Sequence, residues 1–472
     1  MTARAYLVIG VVLMTMAAKA TAEPFALHPK NPHYFLFRGE PTLLITSAEH
    51  YGAVLNGDFD YAKYLDTLAQ DGMNHTRMFV GAYCEPVGAF NIERNTLAPA
   101  TGSFQSPFAR SQEPGYANGG NKFDLTKWSP AYFERLKGFI AHASAQGIVV
   151  EVCLFCPFYN EKMWDLSPMN AANNVNDIGD PSMTDVYTLD RHDGMLAVQE
   201  AMTRKVVAEL SEFDNLYYEI MNEPYQRDVP DDWQHAIVDV IVDAEKDAAS
   251  PHLISLNIEN GRKKVDTAHP NVSILNFHYA FPPDTVEMNY GLGLAIGDNE
   301  TGFRGTAERH YRMEAWAFIM AGGALYNNLD YSFTVGHEDG TFEYPDTQPG
   351  SGGVEFRRQL RVLTGFMGEL GFIDMAPDAS ALGELPEGVL GQALAEAGRQ
   401  YGIYLCRSEP GHAAEALSTT INIPKGEYRV EWVDVLTGEA TEETVRHGGG
   451  ALAVESPAFA DDVALRVTSV EG

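Results

Sequence analysis

Tyr218-Glu219-Ile220-Met221-Asn222-Glu223-Pro224 ends an apolar run in a turn and so leaves a carboxyl group at the C-terminal tip of a strand. Just upstream, Met195, Val198, Met202, Val206 and Leu210 recur every three or four residues, which predicts a helix with one apolar face packed ahead of that strand. The alternation continues in both directions. Strand-like runs are Thr42 to Ser47, Met73 to Val80, Ile148 to Phe155, Leu216 to Met221, Leu253 to Ile258, Val272 to Tyr279, Leu294 to Gly297 and Ala324 to Asp330. Such runs separated by helical segments predict an α/β fold, a (β/α)8 barrel, whose chemistry belongs at the C-terminal strand ends.

After Pro377 the pattern changes to short alternating segments: Val389 to Ala395, Gln400 to Leu405, Tyr428 to Val435 and Val463 to Val467. An all-β sandwich over 377–472 following a barrel over 23–376 is therefore expected, with Trp432 in the sandwich core rather than on a sugar platform. The stretch from Glu85 to Lys127, rich in Gly, Pro, Ser and Asn, reads as an insertion after the second strand, placed to wall a cleft. At the N-terminus, Arg4 precedes an apolar run from Tyr6 to Met16, and Ala20-Thr21-Ala22 supplies small residues. This reads as a signal peptide over Met1 to Ala22, cleaved after Ala22, and implies a secreted or periplasmic protein. The run is shorter than the roughly 20 residues a bilayer crossing needs, so no membrane insertion is expected. Lys and Arg number 33 against 65 Asp and Glu, net −32, which argues against nucleic acid and anionic membranes as partners. The cysteines Cys84, Cys153, Cys156 and Cys406 are too few to hold such a chain together. Cys153-Leu154-Phe155-Cys156 has redox-motif spacing, but residues three apart on a strand face opposite sides, so buried thiols are expected. Oligomeric state is not legible.

Several motifs fall on successive strands in order. Gly72-Met73-Asn74-His75-Thr76-Arg77 lies on the second, Asn222-Glu223-Pro224 ends the fourth, His278-Tyr279 the sixth, and Ile296-Gly297-Asp298-Asn299-Glu300-Thr301-Gly302 the seventh. Together they resemble the retaining glycoside hydrolases of clan A, most closely family 5, the cellulases, mannanases and relatives. In the tail, Tyr428-Arg429-Val430-Glu431-Trp432-Val433-Asp434 with Thr437-Gly438 resembles the sandwich carried by apiosidase-like barrels. The resemblance implies a β-glycoside hydrolase acting on O-glycosidic bonds of a plant, algal or microbial oligo- or polysaccharide by double displacement, with no metal or organic cofactor. It makes Glu223 the acid/base and Glu300 the nucleophile. Retention requires two such carboxyls about 5 to 5.5 Å apart, one protonating the leaving oxygen while the other attacks the anomeric carbon. It places Arg77 beneath Glu300, holding it ionised, and Asn222 against the sugar 2-hydroxyl. Glu223 needs a proton near neutral pH, which burial and a neighbouring carboxylate favour.

The chain departs from the family at two strands. His278 and Tyr279 are adjacent, where family 5 has one residue between them, and on a regular strand only one can point inward. Tyr279 is accordingly expected near Glu300 and His278 against the sugar. The eighth strand, Leu325-Tyr326-Asn327-Asn328-Leu329-Asp330, lacks the Trp that floors the central subsite, and Tyr326 or Asn328 is expected in its place. His50, after the first strand, and Trp164, after the third, are further sugar-contact candidates, since aromatic rings stack on pyranose faces. Glu219 shares a strand face with Glu223 and reads as an interior hydrogen-bonding group, while Asp298 and Glu259 are candidates for substrate contact. Close His pairs typical of metal-dependent barrels are missing, so no metal site is expected. The alternative function is a catalytically silent barrel that only binds glycans; the presence of both glutamates with Arg77 favours catalysis.

Overall fold

In a computed structural model the chain is described over residues 24–470 apart from 177, 179–181 and 191–193, so the signal-peptide reading of Met1 to Ala22 lies outside the described residues. One parallel sheet contains β1 (Leu44–Ala48), β2 (His75–Phe79), β3 (Val149–Phe155), β4 (Leu216–Met221), β5 (Ile254–Asn260), β6 (Ile274–His278), β7 (Ala295–Thr301) and β8 (Leu325–Leu329). Hydrogen bonding links β1 to β8 and then runs back in sequence order to β2, the circular order of a barrel. The seam between β1 and β2 is closed by a side chain: Asn74 accepts from the Ile45 amide at 3.0 Å and donates to the Leu43 carbonyl at 2.7 Å. Near the far end of the seam the Phe79 amide reaches the Tyr51 carbonyl at 3.0 Å. A side-chain amide can serve both a donor and an acceptor of the neighbouring strand, and Asn74 does so here for the Ile45 amide and the Leu43 carbonyl where the ladder opens.

Around this sheet run α1 (Tyr61–Gln70), α2 (Pro130–Ala145), α3 (Met195–Leu210), α4 (Asp231–Ala244), α5 (Asp284–Asn289), α6 (Glu308–Met320) and α7 (Val354–Gly368). The helix read from the Met195 to Leu210 spacing forms over those bounds and buries all five of its stripe residues. At the start of α2, the Ser129 side chain accepts from the Tyr132 amide and Pro130 opens the helix, so donors that no carbonyl can reach are satisfied or absent. Among the described residues no helix is long and apolar enough to cross a membrane. The insertion after β2 is more ordered than its composition implies: Phe108–Pro114 and Asn121–Trp128 pair as an antiparallel hairpin. Its two register shifts erase the regular alternation by which a strand is recognised.

From Ala376 the chain turns antiparallel. A sheet orders Ala376–Pro377, β9 (Val389–Glu396), β10 (Gln400–Arg407), β15 (Asp462–Ser469), β12 (Gly426–Val433) and β13 (Ala440–His447), and a second pairs β11 (Ser418–Ile423) with β14 (Gly450–Glu455). Trp432 is buried in the core of this unit, as its mid-strand position implies. Strands β11, β13 and β14 escape the sequence reading because they carry little apolar alternation; β13 is the sheet edge, exposed or half-exposed throughout. The tail docks on α6, where Trp316 stacks on Tyr404 at 5.6 Å and Arg312 pairs with Asp462 at 2.7 Å.

Candidate active site

At the C-terminal ends of the barrel strands the backbone turns sharply inward. Tyr51, Glu223 and Tyr279, just past β1, β4 and β6, take left-handed backbone angles, with φ of 61°, 39° and 53°. Non-glycine residues are uncommon there, and such strain concentrates at functional sites. The turn at Tyr279 resolves the adjacency problem. His278 still belongs to β6 and points inward, and the reversed φ of the next residue brings Tyr279 back over the same cleft, so both side chains reach the carboxylates.

Glu223 and Glu300 face each other, with one oxygen of each within 4.8 Å of the other and of a His278 nitrogen. Glu300 is held from three directions: Tyr279 donates to Oε1 at 2.7 Å, Tyr51 to Oε2 at 3.0 Å, and Arg77 Nη1 to Oε2 at 3.2 Å. Arg77 is fully buried and also reaches Glu219, through Nε at 2.9 Å and through Nη2, and the Asn222 carbonyl oxygen at 2.7 Å. Tyr159 donates to Glu223 Oε2 at 2.5 Å, while the Tyr225 hydroxyl, 2.6 Å from the Asn260 Oδ1 to which it donates, lies 3.3 Å from Oε1. Asn222 donates one amide proton to Tyr159 at 2.8 Å, while its nearest other acceptor is the Cys156 sulfur at 3.7 Å. That weak contact leaves the second proton available to an acceptor in the cleft.

Below the cleft lies a buried polar layer. Glu219 accepts from Asn276 and Asn299 at 3.2 and 2.9 Å, and the same two amides bond Glu151 at 2.8 and 2.9 Å. Burial, reinforced by the charge of Glu219, pushes the Glu151 carboxyl well up. For Glu219 burial acts the same way, but the charge and bonds of Arg77 outweigh it and hold the carboxyl below its ordinary value. Glu219 is thus the interior group its strand face implies.

Glu223 reverses an expectation. Burial does push its carboxyl up, but the His278 ring, with Nδ1 3.4 Å away, and the Tyr159 hydroxyl outweigh that effect and hold it below its usual range. Glu223, His278 and Glu300 also form the one triad of potential metal ligands among the described residues. Three donors already occupy the oxygens of Glu300, and the Arg77 guanidinium opposes a cation there, so the set is better suited to hydroxyls than to a metal.

The cleft above the pair is about 260 Å³, lined among others by His50, Glu85, Phe90, Asn222 and Phe303. Other expected contacts lie elsewhere. His278 is fully buried beneath the carboxylates and meets them rather than the sugar. Trp164 packs in the core against Phe158 at 4.9 Å. Tyr326 and Asn328 face outward from β8, because residues two apart share a strand face: Tyr326 donates to the Tyr311 carbonyl of α6 at 2.8 Å, and Asn328 bonds Ser47 and Ser351. Asp298, also turned outward, is buried and accepts from the Ala280 amide at 3.4 Å. Glu259 borders a separate recess of about 790 Å³ that includes neither catalytic candidate. Sequence reasoning missed Tyr159, Glu85 and Phe303, which sit on loops without periodicity, and Tyr225, which sits in the single 3-10 turn Pro224–Arg227. For Tyr51 the signal was its place between His50 and Gly52 at a strand end.

A parallel barrel with paired carboxyls at the tips of β4 and β7 and an antiparallel tail is an architecture of glycoside hydrolases. No protein-family model and no curated protein matches the chain. Solved structures do match its fold. A glycoside hydrolase family 5 protein from Bacteroides vulgatus ATCC 8482 superposes with a TM-score of 0.62 at 12% identity, over 95% of this chain and 94% of that one. A further glycoside hydrolase gives 0.63 at 13% identity over 96% and 98%. A candidate glycoside hydrolase from the same Bacteroides strain gives 0.66 at 15% identity over 96% and 84%. The chain shares the fold of these structures over barrel and tail together.

Proposed function

We propose that the protein is a retaining β-glycoside hydrolase that cleaves O-glycosidic bonds of an oligo- or polysaccharide by double displacement. The observation that carries this reading is the approach of Glu223 and Glu300 to within 4.8 Å, close to the separation retention requires and too tight for the water that inversion places between them. Glu300, oriented by Tyr51, Tyr279 and Arg77, attacks the anomeric carbon while Glu223 gives its proton to the departing oxygen. Glu223 then removes a proton from the water that releases the sugar. Asn222, anchored by Arg77 and Tyr159, has an amide proton for the 2-hydroxyl, a contact that strengthens in the oxocarbenium-like transition state. Glu223 gains its proton as the sugar displaces water, because desolvation, the effect opposing His278, then grows. The N-terminal segment Met1 to Ala22 supports export, with action outside the cytoplasm.

The test uses aryl β-glycosides and a panel of β-glucans, mannans, xylans and galactans. Glu300→Gln is expected to lose turnover while keeping its melting temperature; undiminished activity removes Glu300 as nucleophile. Azide is expected to restore activity to Glu223→Ala with a β-glycosyl azide as product, and an α-configured azide contradicts retention.

A further inference from the structure

The cleft holds a third carboxyl for which double displacement has no use. Glu85 opens the insertion after β2, is 4% exposed, and borders the cleft beside Glu223 and Glu300. Tyr83 donates to its Oε1 at 2.9 Å and Asn95 to its Oε2 at 2.5 Å, while the other end of the Asn95 amide meets His50 Nδ1 at 3.1 Å. One donor on each oxygen fixes the plane of the carboxyl and leaves a lone pair on each for whatever fills the cleft. A carboxyl braced in this way is a bidentate acceptor for two neighbouring hydroxyls.

Its position says which part of a substrate it would meet. Glu85 and His50 follow β2 and β1, while Gln226 follows β4 and Asn260 ends β5, the strand opposite β1, and both border the same cleft. Glu223 stands on the β4 side, so a leaving group that it protonates departs over that rim, and the sugar attacked by Glu300 rests toward β1 and β2. Leu97, whose carbonyl accepts from the Glu85 amide at 2.8 Å, and Phe90 line the cleft on this side, and the Phe90 ring stands edge-on to Tyr159 at 5.2 Å and to Phe303 at 6.2 Å, narrowing it between the insertion and the loops after β3 and β7. A volume of about 260 Å³ falls below the roughly 300–1,000 Å³ of common ligand pockets, which suits one ring better than a row of them. A carboxyl so near Glu300 also repels a sugar bearing its own carboxylate or sulfate.

We infer that Glu85, braced by Tyr83 and Asn95 and flanked by His50, is the specificity-determining contact of a small, narrow sugar pocket, reading two hydroxyls of a neutral terminal sugar, and that the protein acts on chain ends. The part concerning chain ends rests on the hydrolase reading above; the contact itself does not need turnover.

Calorimetric titration of the full chain with glucose, mannose, galactose, xylose and glucosamine reads that contact directly. Burial pushes the Glu85 carboxyl up to about 7, so the titration is run at about pH 8.5, where one neutral sugar is expected to bind and Glu85→Gln to weaken it about 10- to 100-fold, the effect of losing hydrogen bonds to a charged group. Monodeoxy forms of that sugar are expected to bind wild type as weakly at the hydroxyls Glu85 reads and to show no further loss in the variant. The wild-type deoxy series stands even if the variant folds poorly. Absence of neutral-sugar binding, preference for glucosamine, or an equal effect of Glu85→Gln on every deoxy form overturns the assignment. With an end-labelled oligosaccharide, the monosaccharide is the expected first product, and internal fragments overturn chain-end action. Glu85-dependent binding without turnover sinks the hydrolase reading and upholds the contact, whereas turnover with binding undisturbed in Glu85→Gln sinks the contact alone.

Discussion

Arg77 concentrates the energetics of the site in one side chain. It is fully buried, its guanidinium lies 4.5 Å from the Tyr51 ring centre, and it serves Glu219, Glu300 and Asn222 at once. Removing one partner of a buried pair leaves an uncompensated charge, so Arg77→Met is expected to cost about 3–5 kcal/mol in urea unfolding and to lose activity as well. His278 has a different effect. Its ring holds Glu223 below the ordinary carboxyl range, and an acid catalyst must be protonated, so activity falls as pH rises through the Glu223 pKa. His278→Gln raises that pKa, and the alkaline limb of kcat/KM is expected to move to higher pH; a shift to lower pH in the rate profile would contradict the assignment.

Among the elements, β7 and α6 share an unusual contact. Asp298 and Glu314 are buried together, and burial pushes both carboxyls up, Glu314 from 4.5 to about 8. His310 lies 3.6 Å from Glu314. A folded pKa above the unfolded one means that the native state holds more protons between the two values. Stability is therefore expected to fall as pH rises from about 4.5 toward about 8 and to level off beyond, and Glu314→Gln to flatten that slope in denaturant titrations at acidic, neutral and alkaline pH. The short helix Glu161–Trp164 illustrates the other kind of burial. Trp164 fills core space against Phe158, so Trp164→Ala is expected to cost about 3–5 kcal/mol while leaving KM for an aryl glycoside unchanged.

At the scale of the molecule, one face of the tail joins the barrel core while the rest packs a core of its own: Leu394, Tyr404 and Ala464 belong to the same buried cluster as Trp316 and Phe366 of the barrel. Arg312 reaches both oxygens of Asp462, at 2.7 and 3.0 Å, and Tyr404 donates to the same carboxylate at 2.8 Å, with the ion pair almost wholly buried. The two units are expected to unfold in one calorimetric transition. Asp462→Ala, which strands Arg312 in that interface, is expected to lower it by about 3–5 kcal/mol, and two separate wild-type transitions would show the interface to be weaker than its burial implies.

The sequence by itself determined the barrel, because strands such as Val149–Phe155 and Leu216–Met221 are buried on both faces and read as apolar runs, and the helix Met195–Leu210 shows its stripe ahead of the fourth strand. The motifs carrying Arg77, Glu223 and Glu300 were legible at strand ends, and the fold brings these three side chains together. What lies off the strands was settled only by the fold. Tyr51, Glu223 and Tyr279 reach the cleft through left-handed turns that no local spacing announces. Tyr159, Tyr225 and Glu85 are brought in by loops whose course depends on distant packing, and Asn74 is a seam residue because β1 and β2, adjacent in sequence, must also close the circle. Tyr326, Asn328 and Trp164 were misplaced for the same reason. Residue type declares that a side chain can meet a sugar, but the face it takes is fixed by strand register and by what packs behind it, and those are properties of the whole barrel.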